Sequence, residues 1–590
     1  MAPTIQSASL HLSYPLYACD FDPQDANRLI LGGGGGAGRS GVSNKISVLD
    51  TSHRDSLQIV SELDLSRNED GVTSLAAGPR RRNSILVYAG VNSSPAEVAK
   101  GKNEHFRIFS VDQASKSKTT PRIAELSRSM LFSSKDADAY QRVLRISPPF
   151  ADKPQIGAIA TGFAKEPEIA VFDVGATSGS APKLRGKLEL AKEAVDLDII
   201  QTGDGEWQLV YCDDYEIYRL TISKKGVDGP HCLFTMPHDE VPRPAFRSLR
   251  YLTPTFLLAA ANIPRSGGVV LQGFRVLKAE TGGEGKARLA ISAKLPKDVP
   301  RATGMAVRNL SPPSAPGAKY GDAQFVIAVA GQDCSVTLYK LDHQSVGEIE
   351  LLANLHPITT LKAVHEAPIT GLAFSHFVPP KTPTMRVLHL KLASIGSMAN
   401  SCVVHSLPLQ RLVDKTSAAA RRAGPPRQPR YVVALKSQGP SGKGLFMFLA
   451  IIVALLAIIG QSFLEVKGLS PSIIGARSVV PVSWQSRSVV GGDGKPFLAE
   501  HLKKLGTDEK VVLLDTGDAQ GAEPVRVDKH NEEEHGPAFS WHALPAEQKK
   551  AWKEKLKQAG QWSEQLGEAV FKGVLFGEIG GAVGAAVRDL

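Results

Sequence analysis

Short apolar runs separated by turns recur between Tyr14 and Pro408. Each repeat contains an apolar strand, a strand rich in small residues, and a third strand that ends near Asp or Leu. In the first repeat these strands cover residues 16–21, 28–31 and 46–50. Alternation of apolar and polar side chains with a period of two is typical of half-buried β-strands. The pattern therefore predicts an all-β fold for this part of the chain.

The strand pattern returns along the chain as a repeat. Later repeats begin near residues 72, 142, 194, 248, 303 and 369, which makes seven in all. Seven repeats over about 400 residues are compatible with a WD40-type β-propeller, in which each repeat forms one blade. The Trp-Asp dipeptide typical of that repeat is absent, so the repeats are degenerate. We expect a seven-bladed WD40-like β-propeller over residues 1–407.

One segment is apolar without interruption. Residues 445–464 carry no charged side chain. At 1.5 Å per residue, a helix of this length spans about 30 Å, the thickness of the hydrocarbon core of a bilayer. A core helix of a soluble protein is the alternative, although such helices rarely lack charge over this length. We predict a single transmembrane helix at 445–464, followed by a mixed tail of helices and strands at 465–590.

The charges beside the apolar segment predict its orientation. The preceding residues 408–444 are rich in Pro, Arg, Ala and Ser, and we predict that they form a linker. Only Asp414 opposes the basic residues of this segment, which are Arg411, Lys415, Arg421, Arg422, Arg427, Arg430, Lys436 and Lys443. The positive-inside rule then places the propeller in the cytosol and residues 465–590 across the membrane, a type II topology.

Composition argues against several classes of function. A formal net charge of +10 over 590 residues is modest, and it gives no argument for nucleic acid as a partner. The five cysteines have no short paired spacing, which disfavours a zinc site or a disulfide framework; they are Cys19, Cys212, Cys232, Cys334 and Cys402. No constellation of catalytic residues stands out, and we expect no small-molecule substrate.

A glycine-rich loop separates the second and third strands of the first repeat. From Gly33 to Ser40 its spacing approximates a nucleotide-binding P-loop, with Arg39 in the place of the phosphate-binding lysine. Residues 45–49 alternate like a strand, however, whereas a P-loop must open a helix. Two other interpretations remain open on the residues alone. The loop is either a flexible hairpin connection or an exposed element that contacts a partner.

The first repeat also carries three motifs in order: Tyr14-Pro15-Leu16-Tyr17, Gly33-Gly34-Gly35-Gly36 and Gly41-Val42-Ser43-Asn44-Lys45-Ile46. They resemble the Tyr-Pro-x-Tyr, Gly-Gly-Gly-Gly and Gly-Ile-x-Asn-Lys motifs of one family. This family is the endoplasmic-reticulum exchange factors that load GTP on the small GTPase initiating the coat protein complex II vesicle coat. A propeller, one span and a luminal tail are also similar to the architecture of that family. Val42 replaces its usual isoleucine, and Ser43 stands where proline is common.

The resemblance implies a guanine-nucleotide exchange factor of the endoplasmic reticulum membrane, active in export to the Golgi and without covalent chemistry of its own. In that family the loop protrudes, is shaped by a bound potassium ion, and engages the GTPase. The exchange-loop residues expected by resemblance are Gly33, Gly34, Gly35, Gly36, Gly41, Val42 and Asn44. Potassium is expected on the backbone carbonyls of Gly34, Gly35 and Gly36. A non-catalytic, membrane-anchored propeller scaffold that recruits coat or cargo proteins is the alternative.

Overall fold

A computed structural model of the chain describes residues 4–38, 40–112, 122–134, 136–175, 182–224, 226–238, 242–277, 286–380, 387–412, 430–435, 442–471, 473–481, 511–515, 525–535, 537–558, 562 and 574–577. The chain divides into two compact units, residues 1–439 and 440–590. Each unit has its own hydrophobic core.

In the first unit, the described strands form seven antiparallel sheets of four or five strands. Strand β1 (Gln6–His11) comes first in the chain and belongs to the last sheet. Six sheets follow in sequence: β2–β5 (Leu16–Asp22, Asp25–Gly33, Lys45–Asp50, Gln58–Asp64), β6–β9 (Ser74–Arg81, Ser84–Gly90, Phe106–Asp112, Ile123–Ser129), β10–β13 (Tyr140–Ile146, Ile156–Gly162, Glu168–Asp173, Leu184–Glu189), β14–β17 (Asp196–Gly203, Glu206–Cys212, Glu216–Ser223, Gly226–Thr235), β18–β21 (Ala245–Thr253, Phe256–Asn262, Val269–Val276, Ala287–Lys294) and β22–β25 (Ala302–Asn309, Ala323–Gly331, Val336–Val346, Ile349–Leu361). The seventh sheet contains β26–β29 (Ile369–Phe374, Leu388–Gly396, Ser401–Leu412, Arg430–Val433) together with β1. A short helix, α1 (Pro95–Ala99), lies between β7 and β8.

The sheets form a propeller-like ring. The first strand of each of the six consecutive sheets contacts the first strand of the next, and β26 contacts both β22 and β2, so the ring closes. Apolar side chains fill the space between neighbouring sheets; Ile30, Val87 and Phe109 have no exposed surface there. Burying each such side chain stabilises the fold by about 1.5–3 kcal/mol relative to leaving it exposed. The expected all-β class is confirmed.

Both ends of the first unit meet in the seventh sheet. Strand β1 pairs with β28 in antiparallel register, from Gln6 opposite Ser406 to His11 opposite Ser401. Beside this pair, the buried ammonium of Lys391 donates to Asn27 Oδ1 at 2.6 Å and bridges the last sheet to the first. The N-terminal strand thus completes a sheet that is otherwise built from the far end of the unit.

The sheet extends beyond the predicted boundary at residue 407. Strand β28 runs to Leu412, and β29 (Arg430–Val433) pairs with it inside the range 408–444 that we predicted to be a linker. Tyr431 and Val433 are buried in β29, an alternation too short to stand out from the surrounding Pro and Arg. Residues 413–429 and 436–441 of the predicted linker lie outside the described residues.

The second unit begins with a long apolar helix and continues with helices and short strands. Within α2 (Gly442–Val466), the segment 446–466 is long and apolar enough to cross a membrane. Residues 446–460 are all exposed, whereas Glu465 near the end of the helix is buried. The other described elements are α3 (Ala476–Val479), β30 (Val511–Asp515), β31 (Val525–Lys529), α4 (Glu532–His535), β32 (Phe539–Ser540), a 3-10 turn (Trp541–Ala543), α5 (Ala546–Gln558) and β33 (Val574–Phe576). Their strands form one mixed sheet in the order β31-β30-β33-β32, packed around Trp541, Trp552 and Phe576.

Candidate functional site

The glycine-rich loop joins β3 to β4 in the first sheet, and its exposure rises from base to tip. Gly33, Gly34 and Asn44 at its base are buried, while Gly35, Gly36 and Val42 are half-buried. At the tip Gly38, Ser40 and Gly41 are exposed, and Arg39 lies outside the described residues. A strand, β4, follows the loop directly, so the helix that a phosphate-binding P-loop requires is absent at this position.

Asn44 holds the base of the loop together. Its Oδ1 accepts a hydrogen bond from the backbone N–H of Gly36 at 2.9 Å, and its Nδ2 donates to the carbonyls of Ser66 at 3.1 Å and Glu69 at 2.8 Å. The side chain has no exposed surface. The side chain therefore presents no surface to solvent in this conformation. Its hydrogen bonds join Gly36 of the loop to the segment 66–69.

Gly34 occupies a position that no other residue fits. Its φ is +147°, and a Cβ atom there would lie 2.2 Å from Asn44 Oδ1. On the adjoining segment, a Cβ on Gly71 would lie 3.3 Å from the carbonyl oxygen of Gly34. A side chain at Gly34 would displace the asparagine that shapes the loop, because a Cβ atom cannot approach a heavy atom so closely.

A charged cluster in the second sheet fixes the segment to which Asn44 donates. Glu69 forms ion pairs with Arg107 at 2.7 Å and with Arg128 at 2.6 Å, and Arg107 has no exposed surface. Burial raises the pKa of Glu69, but the two guanidinium groups outweigh it, so that pKa is lowered from its usual value of 4.5. The carboxylate is therefore ionised at neutral pH and anchors the 66–69 segment.

The loop also carries oxygen atoms that could hold a hard cation. Among the described residues, no hydrogen-bond donor reaches the carbonyl oxygens of Gly34 or Gly36, and that of Gly35 receives only a long contact of 3.4 Å from Ser40 Oγ. The carboxylate of Asp70 lies near Gly36, with one oxygen 3.1 Å from where a Cβ on Gly36 would stand. Carbonyl and carboxylate oxygens suit hard cations. The described residues contain no group of three His, Cys, Asp or Glu side chains that could hold a metal ion.

The sequence predicted the loop but not the residues that hold it in place. Glu69, Asp70 and Gly71 precede β6, and Arg107 lies in β8; none of them was predicted as part of the site. The Asp70-Gly71 dipeptide is a turn signal that marks this second segment. The ion pair of Glu69 with Arg107, 38 residues apart, leaves no local pattern in the sequence.

Comparison with known proteins identifies a distant relative. No family model matches the chain. The guanine nucleotide-exchange factor SEC12 of Candida glabrata is 25% identical over 369 residues, which cover 62% of this chain and 67% of the relative. The chain is thus distantly similar to an exchange factor.

Solved structures that match part of this chain include Sqt1 from Chaetomium thermophilum. One crystal structure of Sqt1 is 13% identical, with a TM-score of 0.41, and the match covers 68% of this chain and 98% of that one. Sqt1 bound to the N-terminus of ribosomal protein L10 is 15% identical, with a TM-score of 0.39. That match covers 66% of this chain and 84% of the Sqt1 chain. Scores this low assign neither a function nor a partner to this chain.

Proposed function

We propose that this protein is a guanine-nucleotide exchange factor, which promotes GDP release and GTP loading on a small GTPase of the coat protein complex II pathway. The observation that carries the proposal is the loop between β3 and β4, whose base is fixed by Asn44 and whose tip is exposed. The distant similarity to a guanine nucleotide-exchange factor supports it. A seven-bladed WD40-type propeller is the scaffold we assign to the seven sheets.

An exchange factor breaks no covalent bond. It acts by binding the nucleotide-free GTPase more tightly than the GDP-bound form. We infer that the exposed tip, around Gly38 and Gly41, enters the GTPase and displaces the segments that hold the phosphates and magnesium. Asn44 contributes indirectly, because it orders the loop before the partner arrives. Less conformational entropy is then lost on binding.

Potassium fits the loop as an ordering cation. We propose that the carbonyls of Gly34, Gly35 and Gly36 hold it, with the Asp70 carboxylate as an additional oxygen ligand. Support comes from the carbonyls of Gly34 and Gly36, which have no donor among the described residues. When bound, the ion would supply positive charge that orders these oxygens. The remaining contacts of the loop come from Asn44 and the backbone.

We further propose that α2 (Gly442–Val466) anchors the protein in the endoplasmic reticulum membrane. The propeller would face the cytosol and residues 465–590 the lumen, as the basic side chains before α2 favour. Tethering keeps the exchange activity beside the membrane and raises the effective concentration of the activated GTPase there. Residues 1–433 would then form the cytosolic propeller and the remainder up to α2 the linker.

A non-catalytic scaffold is the second candidate. Phe163 and Met398 are 71% and 84% exposed, and each follows the second strand of its sheet, as the glycine-rich loop does. Exposed large apolar side chains in such loops fit the binding of a protein partner. They do not require any effect on nucleotide exchange.

One assay separates the two candidates. The detergent-solubilised full chain is added to the GDP-loaded small GTPase, and GDP release is followed together with complex formation. Release that accelerates with the concentration of the chain supports an exchange factor. Complex formation with release at the spontaneous rate supports the scaffold and excludes the exchange factor.

A further inference from the structure

The ring encloses a central cavity that the proposed exchange mechanism does not use. Its volume is about 610 Å³, and the first strands of all seven sheets contribute to its wall. Gly34, Gly35 and Gly36 at the base of the glycine-rich loop also line it. A cavity of this size suits a small ligand, and it is too small for a folded partner.

Arginine dominates the charge of this wall. Among the described lining residues, the charged ones are Arg142, Arg145, Arg247, Arg250, Asp70 and Asp196. Asp196 is shared between Arg145 at 3.4 Å and Arg250 at 2.5 Å. Arg142 pairs with Glu193 at 3.1 Å, and Glu193 is not one of the lining residues. The carboxylate of Asp70 accepts the backbone N–H of Gly71. Asp20 and Asp198 lie behind the wall, where they accept the backbone N–H groups of Ala77 and Tyr251 and act on Arg145 through their charge.

Arg247 differs from the other three arginines of the wall, each of which is paired with a carboxylate. It forms no hydrogen bond or ion pair with any residue that the structure describes. Burial lowers the pKa of Arg247, and the charge of Arg142 lowers it further, although Asp196 acts in the opposite direction. A half-buried guanidinium beside another cation is unfavourable without an anion. Arg247 therefore lacks a paired carboxylate among the described residues, since Asp196, whose charge acts on it, is already bonded to Arg145 and Arg250.

We propose that this cavity binds a small oxyanion of the phosphate class, with Arg247 as its main ligand and Arg142 as the second. A guanidinium presents two parallel N–H donors, which match the oxygen spacing of a phosphate group. Tyr140 also lines this space, and its hydroxyl group is a donor for another oxygen of the ligand. This ligand site goes beyond the exchange function, because it belongs to the chain alone and needs no GTPase.

The test is a calorimetric titration of the detergent-solubilised full chain with inorganic phosphate and with pyrophosphate, at constant ionic strength set by sodium chloride. We expect saturable binding to the wild type. Arg247→Gln should weaken the binding at least tenfold, and Arg247→Lys should bind with intermediate affinity, because it keeps the charge and loses the paired donors. Arg288→Gln is the matched control, since Arg288 is an exposed arginine in β21, outside the cavity.

Several results would overturn the proposal. These are the absence of saturable binding to the wild type, equal affinity of the wild type and Arg247→Gln, and displacement by chloride at similar concentrations. Thermal melting without phosphate checks that Arg247→Gln is folded. If it is not, Arg142→Gln replaces it, and wild-type affinity of that variant contradicts the proposal. Because no GTPase is present, this outcome is independent of the exchange assay.

Discussion

Asn44 Nδ2 donates a hydrogen bond to the backbone carbonyl of Glu69 at 2.8 Å, and this contact joins the glycine-rich loop to the second sheet. The Glu69 carboxylate is in turn paired with Arg107 in β8 and with Arg128 in β9. The shape of the loop therefore depends on side chains from two neighbouring sheets. Substitutions far from the exposed tip are therefore expected to change the shape of the loop.

Replacing Asn44 tests whether the loop needs its internal hydrogen bonds. Asn44→Ala leaves the N–H of Gly36 and the carbonyls of Ser66 and Glu69 without their partner. We expect a loss of stability of about 1–3 kcal/mol, the cost of unsatisfied buried polar groups, and at least a tenfold slower stimulated GDP release. Thermal melting and a release assay measure the two effects. Ser43→Ala is the control, because that hydroxyl bonds to no described residue; wild-type exchange by Asn44→Ala would contradict this role.

The Glu69 cluster predicts a specific dependence on pH. Because the folded-state pKa of Glu69 is lowered from 4.5, its ion pairs stabilise the fold above pH 4.5, and this contribution declines as the pH falls below that value. Glu69→Gln should therefore lower the melting temperature at pH 7 and differ less from the wild type at pH 3.5. Glu104→Gln, at an exposed carboxylate without an ion pair among the described residues, should have little effect at either pH. A difference that stays constant with pH would refute the ion-pair explanation.

Much of the fold was predictable from the sequence because the inner strands are almost continuously apolar. The nine residues of β23 (Ala323–Gly331), for example, are all buried. The outermost strands were missed because only one face contacts the protein; β13 (Leu184–Glu189) has no buried residue. Strand β1 was also missed, since its partner β28 lies nearly the whole length of the unit away, and a local pattern carries no trace of such a pairing.

The candidate site was predictable only in part for a related reason. The glycines and Asn44 are adjacent in sequence and form a recognisable motif. Their supports come from tertiary contacts with Ser66, Glu69 and Arg107, and the sequence alone does not show which distant residues meet them. Burial of the Asn44 side chain was not predictable for the same reason, because it is decided by the neighbouring segment 66–69.

Buried histidines predict a loss of stability in mild acid. His365 is hydrogen-bonded to Ser401 Oγ at 2.6 Å and to Ser394 Oγ at 2.8 Å. Burial, followed by the charge of His11, lowers the pKa of His365 from 6.5 to about 4. The unfolded chain therefore binds the proton more readily, and stability should fall as the pH decreases from 6.5 towards 4. The melting temperature of His365→Gln should fall less steeply over this range than that of the wild type; equal slopes would contradict the prediction.

The cation hypothesis predicts a dependence on the choice of salt. If potassium orders the carbonyls of Gly34, Gly35 and Gly36, stimulated GDP release should be slower in sodium than in potassium at equal ionic strength. Asp70→Asn should reduce this difference, because it removes a charged oxygen ligand. Spontaneous release without the chain, measured in both salts, is the control. Equal stimulated rates in the two salts would exclude a specific cation.

The proposed exchange function depends on an ordered glycine-rich loop. The most direct test compares Gly34→Ala with Gly186→Ala, a control in β13 outside the loop, in full-chain-stimulated GDP release from the small GTPase. An added Cβ would lie 2.2 Å from Asn44 Oδ1 at Gly34, whereas at Gly186 it would meet nothing within 4 Å. The proposed function predicts that Gly34→Ala loses at least tenfold in stimulated release while Gly186→Ala stays close to the wild type. Wild-type release by Gly34→Ala, in a folded protein, would contradict it.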